Sequence, residues 1–359
     1  MESPPVAQRL SLHTWPVALQ WLALVLLAGG SGQWLKHLEV PAGQFLGPML
    51  MAIVFGVCGA SIRVPRLVFR LGQGTVGMLA AHAMTLAVLT AMLQSWPVML
   101  FATLLTVCLS ALVGLTLVRF AGIPASTAAW GTAPGAASAM VSMADDFGAD
   151  ARVVATMQYV RVVCVVMIGA LVSHWIGATG GGSEVHTRDL ALQGFSLFNL
   201  GLTLGAILLG VLLGSRVPAG ALLVPLLLGG ALQVSGLLHI TLPNGLLACA
   251  YGAIGCYIGL RFDRPTLRYV FGHLPAMILG AVLLITLCAF SAWLLAHWLG
   301  KDFLSLYLAT SPGGLDAMAI IAVDTHSDVG LVLAMQTLRL FAVIVSGAFF
   351  ARLIIKWAR

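Results

Sequence analysis

Residues 132–167 of this chain occur twice. The first copy reads TAPGAASAMVSMADDFGADARVVATMQYVRVVCVVM, and the second, beginning at Thr310, reads TSPGGLDAMAIIAVDTHSDVGLVLAMQTLRLFAVIV. They align without a gap at a constant offset of 178 positions. Pro134 is paired with Pro312, Gly135 with Gly313, Met140 with Met318, Asp146 with Asp324, Asp150 with Asp328, Gln158 with Gln336 and Arg161 with Arg339. A duplication of this length constrains architecture, because whatever one copy folds into the other should fold into as well. Each copy also sets a helix-breaking Thr-x-Pro-Gly and several polar side chains into apolar sequence, where both are costly.

That apolar setting defines the class. Hydrophobic residues make up 60% of the 359 and charged residues 8%, against about 25% charged in a soluble domain. The composition is that of a polytopic protein of the lipid bilayer. Uninterrupted apolar runs, each near the 17–25 residues needed to span, fall at about 15–35, 43–62, 72–91, 96–118, 151–177, 195–215, 219–238, 244–261, 270–298 and 329–357. Two more, 123–147 and 304–325, are broken by Gly and Pro. The repeat extends beyond its best-matched part: Val40-Pro41-Ala42-Gly43 returns as Val217-Pro218-Ala219-Gly220, Pro48 as Pro225, and Gly74 and Gly77 as Gly252 and Gly255. The expected organisation is an N-terminal tail over 1–14, a first repeat over 15–178, a Gly-rich linker over 179–192 and a second repeat over 193–359.

Charge sets orientation. Arg63, Arg66 and Arg70 place the loop before the third helix in the cytoplasm, and Arg261, Arg264 and Arg268 place the loop after the Gly252/Gly255 helix there too. Those helices are repeat equivalents, yet one starts and the other ends at the cytoplasm, so the halves are inverted. Inversion requires an odd number of crossings per half. The Thr-x-Pro-Gly segments supply it if they are re-entrant or broken, since arms of about 10–12 residues reach about 15–18 Å, half a bilayer. The predicted fold class is an all-α polytopic membrane protein: two inverted repeats of about five transmembrane helices, each with one broken or re-entrant helix. Both termini fall in the cytoplasm, the C-terminal one marked by Arg352, Lys356 and Arg359, with the chain in a bacterial inner membrane.

The chemistry gathers at the breaks. Counted along helices, each Pro-Gly tip and each Arg lies roughly 16–18 Å from the membrane surface, near the midplane of a core about 30 Å thick. Gln158 and Arg161 share a helix face, as do Gln336 and Arg339. Together with tips formed by Thr132, Pro134, Gly135 and by Thr310, Pro312, Gly313, they make an electropositive donor site suited to a carboxylate or another small anion. The other reading of the arginines is packing onto backbone carbonyls. Asp316, opposite Ser138 in the repeat, is a candidate for coupling to H⁺ or Na⁺, or else the ion-pair partner of Arg339 or Arg161. Asp150 and Asp328 suit helix N-caps. Gly74, Gly77, Gly252 and Gly255 suit close helix approach.

Other classes find little support. The nine histidines form no HExxH or His/Cys cluster, the six cysteines form no CxxC pair, and no GxSxG is present. No metal, no cofactor and no enzymatic activity are expected. The net charge of +6 sits at helix ends and in short loops, not in a basic stripe, so nucleic acid is not an expected partner. A homo-oligomer is left open.

Two copies of Thr-x-Pro-Gly, each followed by Asp and then Gln-x-x-Arg, resemble the AbrB-type membrane protein family with its duplication, across essentially the whole chain. Members of that family carry labels of ammonia monooxygenase or of regulator of gene expression. The copper ligands a monooxygenase needs are missing here, and so is a soluble DNA-reading module. The paired broken helices are similar in arrangement to the bile acid/sodium symporter type of transporter. The resemblances together imply a secondary transporter of a small anionic metabolite working by alternating access. A membrane sensor regulating expression is the alternative, and a monooxygenase the least supported.

Overall fold

The structure, a computed structural model, describes residues 12–82, 96–135, 140, 144, 148–176, 197–214, 220–262 and 264–357. The expected linker, most of the N-terminal tail, Ser138, Asp146 and the Val217-Pro218-Ala219 motif lie outside the described residues.

Those described residues form helices and no strand. A short 3₁₀ turn, Leu12–Thr14, precedes α1 (Val17–His37), α2 (Gly43–Val57) and α3 (Arg66–His82). Then come α4 (Trp96–Ala121), α5 (Ala125–Thr132) and α6 (Ala151–Trp175). The second half follows with α7 (Leu197–Leu213), α8 (Gly220–Val234), α9 (Asn244–Gly259) and the short α10 (Arg264–Val270). It ends with α11 (Leu274–Leu299), α12 (Phe303–Thr310), α13 (Leu315–Asp324) and α14 (Val329–Trp357). Proline does much of the punctuation: α1, α5 and α9 each start just after one, at Pro16, Pro124 and Pro243.

Among the described residues four helices, α1, α4, α6 and α11, are long and apolar enough to cross a membrane by length and composition. The helices α2, α8 and α9 are 15 or 16 residues long, or about 22–24 Å at the α-helical rise. At α2 the cause is local, because Ala42 sits in the left-handed region at φ 56° and starts the helix only at Gly43. Its strain is held by a bond from the Ala42 N–H to the Asp324 carboxylate, 2.6 Å long and 282 residues away in sequence.

Packing divides the helices into two bundles, and neither is one half of the chain. α1, α2 and α3 of the first half pack with α7, α8 and α9 of the second. α4, α5 and α6 pack with α11, α12, α13 and α14. The main contact between bundles is α13 against α3, with α10 touching both α2 and α6. Glycine sets the spacing in the first bundle. A methyl group at Gly77 would lie 2.2 Å from the Leu222 carbonyl oxygen, and one at Gly255 2.6 Å from that of Phe45. Their repeat neighbours differ: Gly74 is hemmed in by Val211, while Gly252 lines an apolar cavity of about 410 Å³ beside Trp21 and Pro48.

Candidate functional site

The second bundle contains two short helices that stop in the same way. In α5 and α12 the last helical residue is a threonine, Thr132 or Thr310, whose hydroxyl donates back to the carbonyl one turn earlier, Ala128 or Leu306. The next residue, Ala133 or Ser311, is extended at ψ 125° or 136°. Proline causes this, because Pro134 and Pro312 exclude the α conformation for the residue before them. Each helix end therefore leaves carbonyl oxygens without helical donors in an apolar interior.

The neighbouring long helix satisfies them. From α6, the Gln158 amide donates to the carbonyls of Trp130 (2.8 Å) and Ala133 (3.1 Å). Arg161 donates to those of Ala133 (2.8 Å) and Thr132 (3.3 Å) and is braced by the Gln158 amide oxygen at 2.8 Å. From α14, Gln336 donates to Leu308 (2.8 Å) and Ser311 (3.1 Å). Arg339 donates to Ser311, to Gly313 (2.9 Å) and to the Gln336 amide oxygen. These clamps are repeat equivalents bond for bond, except that Arg339 reaches Gly313 where Arg161 reaches Thr132. Both glutamines and both arginines are buried. The packing role onto carbonyls is thus realised.

The two clamps meet reciprocally. A methyl group at Gly135 would lie 3.2 Å from Val343 on α14, and one at Gly313 2.9 Å from Val165 on α6. Val165 and Val343 are themselves repeat partners, each four residues past its arginine, so each break rests against the other half's long helix. The two guanidinium groups lie within electrostatic reach of each other, and Cys288 on α11 within reach of both.

Asp316, on the first turn of α13, pairs with neither arginine. Its carboxylate accepts from the amide of Gln73 on α3, at 2.9 and 3.0 Å. That bond crosses between the bundles. Gln73 was not singled out by sequence reasoning. Its repeat partner is Tyr251, so the duplication offered no signal for it.

The helix caps are where the sequence places them. Asp150 accepts from the N–H groups of Arg152 (2.9 Å) and Val153 (3.2 Å), and Asp328 from that of Leu331 (2.9 Å). The N–H groups of these two aspartates in turn donate to Thr127 and Ser305, again repeat partners. Asp150 gains a further donor, the Tyr269 hydroxyl at 2.7 Å. Burial pushes the Asp150 carboxyl up, but the bonds from Tyr269, Val153 and Arg152, together with the Arg152 charge, outweigh it and hold the group below its ordinary value. A depressed carboxylate adds stability that is present above its unfolded value, about 3.9, and lost as pH falls through the lower folded one. Asp150→Ala should therefore cost about 1 kcal/mol near neutral pH. The gap to the parent should close in thermal melts below about pH 3, and a gap unchanged with pH would mean the charge contributes nothing.

Among the described residues no group of three or more His, Cys, Asp or Glu side chains is placed to hold a metal ion. The site offers buried donors and one half-buried carboxylate.

Comparison with known proteins adds two kinds of match. The family model described as "Transition state regulatory protein AbrB" matches residues 45–355. "Putative regulator AbrB" of Escherichia coli (strain K12) is 41% identical over 345 residues, covering 95% of this chain and 98% of that protein. "Uncharacterized protein YhjN" of Bacillus subtilis (strain 168) is 25% identical over 354 residues, covering 90% of each.

Proposed function

This chain belongs to the AbrB family, and from that premise we propose that it is a membrane secondary transporter carrying a small anionic metabolite by alternating access. In this reading residues 15–178 and 193–359 are inverted repeats in a bacterial inner membrane. The α5 and α12–α13 segments are the broken or re-entrant segments, turning at Pro134 and Pro312. The observation that supports it most is the reciprocal meeting of two Gln–Arg clamps and two helix breaks beside a second, separately packed bundle. Buried cations duplicated about a seam are the usual furniture of a substrate path, and intramembrane charge is kept for function.

Gln158, Arg161, Gln336 and Arg339 then play two parts: some of their donors hold the broken helices, and the rest face the anion. Asp316 is the coupling residue. Its hydrogen bond among the described residues crosses from α13 to α3, so binding H⁺ or Na⁺ there would loosen or tighten one bundle against the other. No cofactor and no catalytic step belong to this mechanism.

A metabolite comparison between a deletion strain and its parent, inside and outside the cells, would supply a substrate. Purified protein in vesicles would then accumulate it along an ion gradient. Asp316→Asn keeps an acceptor for Gln73 and should abolish gradient-driven accumulation while leaving substrate exchange intact. Equal accumulation by the variant removes Asp316 from coupling.

The name of the E. coli relative favours a second reading, a membrane sensor that regulates expression through a ligand at the same seam. Lost regulation in a deletion strain, with no flux in vesicles for any metabolite that changes, would select it.

A further inference from the structure

We infer that a single monovalent anion binds between Arg161 and Arg339, with the hydroxyls of Tyr307 and Ser311 as further donors. The inference deepens the transport reading by fixing the charge of the cargo, and rests on that reading only for calling the anion cargo.

Two independent observations point to it. The first is a surplus of buried donors. A guanidinium has five N–H groups, and three bonds are made by each of these arginines. The Nε of Arg161 and of Arg339, the Tyr307 hydroxyl and the Ser311 hydroxyl have no partner among the described residues. Arg161 is 3% exposed and Arg339 4%, and Tyr307 and Ser311 are not exposed at all. Buried polar atoms without partners are rare and mark an unseen ligand or water. These groups sit about the two helix breaks. Ser311 is the residue whose carbonyl both Gln336 and Arg339 hold, Tyr307 lies one turn earlier on α12, and Gly313, which Arg339 also holds, packs against Val165, one turn past Arg161.

The second observation is charge. Among the described residues no carboxylate bonds to either guanidinium, and Asp316 is taken by Gln73. The helix ends supply partial compensation. The C-termini of α5 and α12 each bring about half a negative charge to the arginine that clamps them, and the N-terminus of α13 returns about half a positive one. Two unit charges are thereby reduced to a surplus of roughly one to one and a half. One monoanion neutralises that surplus, whereas a dianion would overshoot it in a low-dielectric interior.

Purified full-length protein in detergent, with potassium HEPES as the baseline salt at constant ionic strength, gives the test. Unfolding is followed by tryptophan fluorescence while chloride, nitrate, formate, acetate or sulfate is titrated. At least one of the monovalent ions should raise Tm saturably, by roughly 5 °C at a hundredfold excess over its Kd, and sulfate should not. Tyr307→Phe and Ser311→Ala delete one donor each and keep both arginine clamps. Each should weaken the apparent affinity about tenfold, with little change in Tm at baseline. Absence of saturation for all four monovalent ions overturns the inference, as does preference for sulfate. Parental affinity in both variants places the ion elsewhere and overturns it equally. The transport reading separates cleanly: saturable binding without flux in vesicles removes transport and leaves the site. Flux of a substrate without saturable stabilisation by any of the ions removes the site and leaves transport.

Discussion

Arg339→Ala should leave little or no folded protein to purify. The side chain donates to the carbonyls of Ser311 and Gly313 and to the Gln336 amide oxygen, all in the interior. Ser311 keeps a second donor in Gln336, but Gly313 does not. Each buried acceptor stranded in this way costs about 1–3 kcal/mol, more where no water can enter. The void left by so long a side chain adds to it. A loss of order 5 kcal/mol follows, comparable to the whole stability of many domains, about 5–15 kcal/mol. Arg339→Lys should recover only part, since a single ammonium cannot span acceptors laid out for a planar fork. Yield of the monodisperse species and its melting temperature in detergent are the measurements. If Arg339→Ala melts within about 2 °C of the parent, the clamp is not structural. The consequence for function is that loss of transport in such a variant proves nothing by itself. Tyr307 and Ser311 are the better probes of ligand binding because they hold no helix end.

The second large effect lies in the other bundle. Gly77→Ala would set a methyl carbon 2.2 Å from the carbonyl oxygen of Leu222, far inside van der Waals contact. Backbone cannot rotate away as a side chain can, so α3 and α8 must separate. Overpacking of a tight contact costs typically about 1–3 kcal/mol, and rigid backbone puts this case at or above the upper end. Gly252→Ala is the internal control. It lies in the repeat equivalent of the same stretch, but its nearest neighbour is Pro48, 3.8 Å away at the edge of an apolar cavity. Gly77→Ala should lower the melting temperature by roughly 10 °C and Gly252→Ala by less than about 2 °C. Equal effects would mean that the close approach of α3 to α8 is not what this glycine provides.

How much of this could be read from the sequence depends on distance along the chain. Local rules carried well. A proline two residues past a threonine predicts where α5 and α12 stop, because the extended Ala133 and Ser311 follow from proline sterics alone. Asp150 and Asp328 as N-caps need only the few residues after them. The duplication then doubled each inference, and every bond between Thr127 and Asp150 or Ser305 and Asp328 repeats at the same offset.

The pairings between distant segments did not carry. Asp316 looks, on charge alone, like the partner of an arginine, yet it is bonded to Gln73, 243 residues away. Asp324 is marked in the sequence only as the repeat partner of Asp146, yet it holds the strained Ala42 N–H. In both cases two short segments are brought together only by the packing of whole helices, which no local pattern encodes. Tyr307 was missed for another reason. It sits in an apolar run, and its repeat partner is Ala129, so neither composition nor symmetry marks it.

The exchange of helix triplets between the two bundles has a consequence for how the chain comes to be. A ribosome delivers α1–α3 well before α7–α9 exist, and α4–α6 before α11–α14. Early helices must wait with the faces they later bury uncovered until the later set arrives. Assembly is thus a late, concerted closing of two incomplete layers. It also suggests what a forebear of half this length would have needed: a second copy of itself beside it, lending the three helices it lacked.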